Sequence, residues 1–208
     1  MLVKDIMTER VVAIDPEMPI GDVYALMEQR NIRHFPILEG GRLVGIVSDR
    51  DIRTVGSELP SAKPGVTIRD PVRQIMVTPV ITTHPLDPVE ESAKVLRQYK
   101  IGAMPVIAEG KLVGIVTGID FLEALVRMTG VYEAATRLEV EVENRPGALA
   151  ALAHTIARLG YNISSVLTTS RDPEIVTFVL RVDTISGRKL AQELKAAGFS
   201  VVWPPEKL

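Results

Sequence analysis

The 208-residue sequence contains no cysteine. Disulfides, thiolate metal ligands and thiol nucleophiles are excluded together, and a reducing compartment such as the cytoplasm is the expected setting. No apolar run approaches the roughly 20 residues that a bilayer-spanning helix needs. The N-terminus, Met1-Leu-Val-Lys-Asp-Ile-Met7, lacks the charged head and long apolar core of a secretory signal. Excess positive charge is missing too. With 24 Lys and Arg against 26 Asp and Glu, the net charge is −2, which argues against a nucleic-acid partner. Histidine is scarce and scattered (His34, His84 and His154), and no nucleophile–base pair, phosphate-binding glycine loop or metal-ligand spacing is visible. The expectation is a cytoplasmic, non-catalytic globular protein with no metal, membrane or nucleic-acid partner. Its 46% hydrophobic content is enough for a real core.

What is present is a repeat. Val3-Lys-Asp-Ile-Met7 returns 69 positions later as Val72-Arg-Gln-Ile-Met76. The same offset pairs Pro16 with Pro85, Pro19 with Pro88, Ile32 with Ile101 and Pro36 with Pro105. It runs without a gap through Leu43-Val-Gly-Ile-Val47 and Leu112-Val-Gly-Ile-Val116 to Asp51 and Asp120. A periodic match of this length marks two copies of one structural unit.

Each copy reads as alternating elements. Val11–Ile14 and Val80–Thr83 are predicted short strands, stopped by Pro16 and Pro85. Pro19–Arg30 and Pro88–Tyr99 carry apolar residues at helical spacing behind a starting proline. Phe35–Leu38 and Leu43–Val47 flank a glycine turn and predict a hairpin, as do Met104–Ile107 and Leu112–Val116. A second helix opens after Ser48 or Thr117, and 59–70 is a Pro- and Gly-bearing linker.

The segment that closes each copy reads Gly45-Ile-Val-Ser48-Asp-Arg-Asp51 and Gly114-Ile-Val-Thr117-Gly-Ile-Asp120. A hydroxyl followed three residues later by an acid is a capping-box pattern, here with a short Asp as the acid. It also suits a ligand: a helix N-terminus and a hydroxyl can meet phosphate, and a carboxylate one turn on can accept from a ribose diol. Both readings can hold for the same residues.

Strand-helix-strand-strand-helix, with an apolar-Pro-apolar second strand and the doubled Gly-x-x-[Ser/Thr]-x-x-Asp ending, resembles the CBS domain. Two in tandem resemble a CBS pair, or Bateman module, with units at 1–58 and 71–130. The resemblance implies an adenine nucleotide or adenosyl ligand, with hydroxyl to phosphate, Asp to ribose, and adenine against the second strand. By position these roles fall on Ser48 and Asp51 at one site and on Thr117 and Asp120 at the other. The copies differ in charge. Arg33, His34 and Arg50 of the first correspond to Gly102, Ala103 and Ile119 of the second. Basic side chains strengthen phosphate binding, so the first site is expected to handle more phosphate charge.

The repeat ends near Gly130. Strands at Arg137–Val142, Tyr161–Thr168, Glu174–Asp183 and Phe199–Trp203 are predicted, with helices at Ala148–Leu159 and Gly187–Ala197. This βαββαβ order is ferredoxin-like, so the whole chain is expected to be α+β. Asn144-Arg-Pro-Gly147-Ala-Leu149 with Gly160-Tyr-Asn162-Ile163 resembles the ACT domain, over residues 136–208. That resemblance implies an amino acid held between two copies of the chain. Backbone N–H groups of Gly147, Ala148 and Leu149 would take its carboxylate, with Asn144, Asn162 and Ile163 beside them. Serine-sensing members carry a His two residues before the first Asn, where this chain has Val142, so a more apolar amino acid, or none, is expected. The alternative throughout is that Pro-Gly makes the turn, Gly160 caps the helix and the Asn amides serve local backbone.

CBS followed by ACT resembles acetoin-utilisation-type regulatory proteins. The expected function is a homodimeric small-molecule sensor that needs no cofactor. The alternative is a ligand-free scaffold controlling a partner enzyme.

Overall fold

A computed structural model of the chain describes residues 1–56 and 63–205. Residues 57–62, which include the first part of the expected linker, and 206–208 lie outside the described residues. The chain divides into two compact units, Met1–Ala124 and Leu125–Leu208.

In the first unit each copy builds a helix, a hairpin and a second helix. The first copy has α1 (Ile20–Arg30), β1 (His34–Glu39), β2 (Arg42–Ser48) and α2 (Asp49–Arg53). The second has α3 (Val89–Tyr99), β3 (Ala103–Ala108), β4 (Lys111–Thr117) and α4 (Gly118–Met128). Pro19 and Pro88 stand at the N-caps of α1 and α3. Both helices end on a left-handed residue, Asn31 or Lys100. The hairpins are antiparallel and share a register shift at equivalent places, Ile37/Leu38 and Val106/Ile107.

The predicted first strands are not strands. Each contributes one parallel bridge, Ile14 to Ile37 and Thr83 to Val106. Ile14 donates to the Pro36 carbonyl and accepts from Leu38, both at 3.0 Å. Pro16 and Pro85, which cannot donate, follow two residues behind, so pairing stops after a single residue.

The two cores are cross-built. Val3 is fully buried in a cluster with Val89, Met104, Val106, Val116 and Phe121, all of the second copy. Val72 is fully buried with Ile20, Val23, Phe35, Ile37 and Val47 of the first. Short 3-10 helices, Val3–Asp5 and Val72–Gln74, carry these side chains. They are tied by Val3 N to Asp87 O (3.0 Å) and Val72 N to Met18 O (2.9 Å). Each copy therefore lends its opening segment to the other. Burying one such valine is worth about 1.5–3 kcal/mol.

The exchange explains the glycine of the repeated motif. A Cβ on Gly45 would lie 2.4 Å from Sδ of Met76, and one on Gly114 would lie 2.6 Å from Sδ of Met7. The methionine that crosses from one copy lies on the bare backbone of the other.

The second copy also has polar groups in its core. Thr83 and Ser92 are buried. Thr83 Oγ1 donates to Asp87 Oδ2 at 2.7 Å and lies 2.9 Å from Ser92 Oγ, which donates to it. The corresponding residues of the first copy are Ile14, Val23 and Met18.

The second unit is a four-stranded antiparallel sheet in the order β6-β7-β5-β8. Its elements are β5 (Thr136–Glu143), α5 (Ala148–Arg158), β6 (Ile163–Asp172), β7 (Ile175–Val182), α6 (Gly187–Ala196) and β8 (Ser200–Trp203). This is the ferredoxin-like βαββαβ order. Leu138 and Val140 alternate inward from β5, and Leu152 with Ile156 and Leu190 with Leu194 cover the sheet from α5 and α6 at helical i, i+4 spacing.

Candidate functional site

Ser48 is the N-cap of α2, in extended conformation. Its backbone N–H donates to Asp51 Oδ2 at 2.8 Å and its hydroxyl donates to the same oxygen at 2.6 Å. The Asp51 N–H returns a long bond of 3.4 Å to Ser48 Oγ. Thr117 and Asp120 close an equivalent set, at 2.7, 2.7 and 3.5 Å. The capping box is therefore real in both copies, and Asp is long enough to complete it. Both carboxylate bonds fall on Oδ2, so Oδ1 is the atom left for another partner.

Around Asp51 the first unit holds a cavity of about 440 Å³. One side is the first copy: Arg33 and His34 entering β1, Ile46 and Val47 leaving β2, then Ser48 through Asp51. The other side is the second copy, with Pro79, Val80 and Ile81 and the segment Lys100–Ala103. Every residue predicted for the first site is here, and so is Ala103. Thr117 and Asp120 do not line it.

The sequence reading missed Lys100 and the Pro79–Ile81 strip. Lys100 reaches the cavity because it caps α3 in the left-handed conformation. The only available signal was its place two residues before Gly102, the counterpart of Arg33. With Arg33, Arg50 and Lys100 against Asp49 and Asp51, cations predominate. Asp49 is further engaged by Arg53 at 3.2 Å. The α2 helix spans only five residues, so its dipole adds little and anion binding would rest on these side chains.

His34 lies inside this charged ring. Burial depresses its imidazole below the ordinary histidine range. Asp49 and Asp51 oppose that shift, while Arg33 and Arg50 add to it. The ring lies against Gly102, where a Cβ would come within 2.5 Å of Nε2.

In the second unit a cavity of about 670 Å³ is lined by Asn144, Gly147, Ala148 and Leu149, with Thr168, Val176 and Phe178. Gly147, at φ +87°, is the N-cap of α5 and supplies no side chain to it. The Asn144 amide donates to Pro173 O at 2.9 Å, fastening the turn between β6 and β7. Asn162 is engaged elsewhere, its amide donating to Asp183 at 2.9 Å. The predicted residues are not brought together within one chain. Ile163 pairs with Val182, and Val182 pairs with Thr136 at the start of β5, whereas Asn144 follows the end of β5. Eight residues of strand, about 25 Å, separate those ends.

Family models match the chain as two CBS domains, residues 3–58 and 72–127, followed by an ACT domain, residues 136–199. The chain is a CBS-domain protein. The CBS domain-containing protein YhcV of Bacillus subtilis is 32% identical over 114 residues, which is 55% of this chain and 78% of that one. Further curated relatives are enzymes in which the matched segment makes up 21–24% of the length. Among solved structures, a putative acetoin utilization protein (AcuB) of Vibrio cholerae has 31% identity and a TM-score of 0.55, covering 64% of this chain and 96% of its own. The CBS domain pair of protein MJ0100, solved with 5′-methylthioadenosine and S-adenosyl-L-methionine, has 29% identity and a TM-score of 0.54. That match covers 61% of this chain and 97% of the pair. CBS and ACT domains are regulatory modules, and no helix among the described residues is long and apolar enough to cross a membrane.

Proposed function

We propose that this CBS-domain protein is a cytoplasmic, non-catalytic sensor whose ligand is a phosphorylated adenine nucleotide held in the Ser48–Asp51 cavity. The observation that carries this reading is the cavity itself, whose lining combines Asp51 with Arg33, Arg50 and Lys100 and with the apolar side chains of Ile46, Ile81 and Ala103. The MJ0100 pair, solved with two adenosyl compounds, supports an adenosine moiety. The cations Arg33, Arg50 and Lys100 favour phosphate over the sulfonium of S-adenosylmethionine. Asp51 Oδ1 accepts from a ribose hydroxyl, Ile46, Ile81 and Ala103 offer apolar surface to the base, and the basic side chains take the phosphates. Ser48 reaches a phosphate only by releasing its bond to Asp51. Thr117 and Asp120 make a second, less basic site, better suited to an uncharged adenosyl compound.

A thermal-shift panel of AMP, ADP, ATP, S-adenosylmethionine and methylthioadenosine tests the reading. Saturating AMP, ADP or ATP should raise Tm by about 5 °C. Asp51→Ala should abolish that shift, and Asp120→Ala should leave most of it. A flat panel would overturn the proposal.

For the ACT domain an amino acid shared between two chains remains the expected ligand class, since a homodimer could bring Asn162 of one chain to the Gly147 loop of another. The engaged Asn amides favour a second reading, in which this unit serves assembly through its exposed β6 edge. There Val166 and Leu167 are 40% and 37% exposed. Adding leucine, isoleucine, valine and phenylalanine to the same panel separates the two.

A further inference from the structure

Arg33-His34 and Gly102-Ala103 occupy equivalent places in the repeat, and both pairs line the Ser48–Asp51 cavity. Each pair also supports its own motif. The Arg33 carbonyl accepts from Asp49 N at 3.0 Å, and His34 is the register partner of Ser48. The Gly102 carbonyl accepts from Gly118 N at 3.1 Å, and Ala103 is the register partner of Thr117. The His34 ring fills the space over Gly102. Two side chains of this size would contest that space, and the second copy supplies only a hydrogen and a methyl.

We infer that His34 is a positioning residue shared by both motifs, linking the charge held beside Asp51 to the backbone that supports Thr117 and Asp120. Neutral, the ring stays in the niche over Gly102. Protonated, it is drawn toward the carboxylates of Asp49 and Asp51 or toward a bound phosphate, and Gly102 loses its cover. The charged groups around it are Arg33 on its own segment, Asp49, Arg50 and Asp51 at the start of α2, and Lys100 on the facing segment. Its depressed proton affinity keeps it neutral near pH 7 in the free protein. An anionic ligand favours the protonated form, so binding takes up a proton and tightens as pH falls. The ligand part of this inference rests on the nucleotide reading above; the link between motifs does not.

The test begins without ligand. Amide NMR of the full chain is followed from about pH 8 to about pH 5, the span in which histidine titrates. The amides of Gly102 and Gly118 should shift with a single midpoint below the ordinary histidine range, and His34→Gln should abolish the transition. Gly102→Ala should expel the ring and move its midpoint up toward the ordinary value. Gly102 and Gly118 amides that ignore the titration would overturn the inference. Calorimetry with AMP in buffers of different protonation heat should then show more proton uptake in the wild type than in His34→Gln, the comparison removing the proton exchange of the AMP phosphate itself. Relative to His34→Gln, wild-type affinity should tighten roughly fivefold from about pH 7.5 to about pH 6. Equal proton exchange on AMP binding by the two proteins overturns the ligand part. No AMP binding by either protein defeats the nucleotide reading instead, and the amide titration still decides the link.

Discussion

The two CBS copies close the same capping box with different elements behind it. Ser48 opens a five-residue helix that buries only Ile52, whereas Thr117 opens an eleven-residue helix that buries Phe121 and Ala124. Charge is distributed the other way, with Arg33, His34 and Arg50 in the first copy and Gly102, Ala103 and Ile119 in the second. Core chemistry differs again, Ile14, Met18 and Val23 standing where the second copy has Thr83, Asp87 and Ser92. The first copy gathers cationic side chains around its motif, and the second has a longer helix and a hydrogen-bonded interior. A repeat fixes backbone geometry more tightly than it fixes what that geometry is used for.

The sharpest challenge to this comparison is at the crossed segments, where the copies should behave alike. Val3→Ala and Val72→Ala should each destabilise the CBS unit by about 2 kcal/mol, read from denaturant midpoints. A large effect for one and none for the other would break the symmetry of the exchange. The next effect should appear in one copy only. The His84 N–H, with help from the Thr83 hydroxyl, holds Asp87 below the usual carboxylate range. Its contribution is therefore complete above the unfolded-state pKa and is lost as pH falls through the depressed native value. Asp87→Asn should cost about 1 kcal/mol at neutral pH, a difference from wild type that vanishes in acid titrations of stability. Smallest should be the caps. Thr117→Ala should cost about 1 kcal/mol and Ser48→Ala about half that, because the shorter helix has less packing to lose. Equal costs would mean that α2 is held as firmly as α4.

The repeat, the hairpins, the capping box and the ferredoxin-like order were all legible because each rests on local pattern: offset, alternation, turn residues and i, i+3 spacing. The single-residue pairings at Ile14 and Thr83 were not, because apolar residues near a proline look the same whether they pair once or four times. The exchange of opening segments was also hidden. An offset of 69 equates Val3 with Val72, but it is silent on which core receives either one. For the same reason Lys100 and the Pro79–Ile81 strip escaped notice, since the cavity is completed by the other copy. For Asn144 and Asn162 the residue types left two readings open, ligand contact between chains or service to the local fold, and within this chain their amides fasten Pro173 and Asp183.

The lent opening segments also bear on ancestry. A chain with one copy would have a groove missing its 3-10 helix and a free 3-10 helix shaped for that groove on another molecule. Two such chains would complete each other about a twofold axis. Joining them head to tail turns a concentration-dependent partnership into a permanent one. It also frees the two halves to diverge, because a substitution then no longer appears on both sides of the axis. The lone imidazole over Gly102 is an arrangement that an obligate pair of identical chains could not have reached.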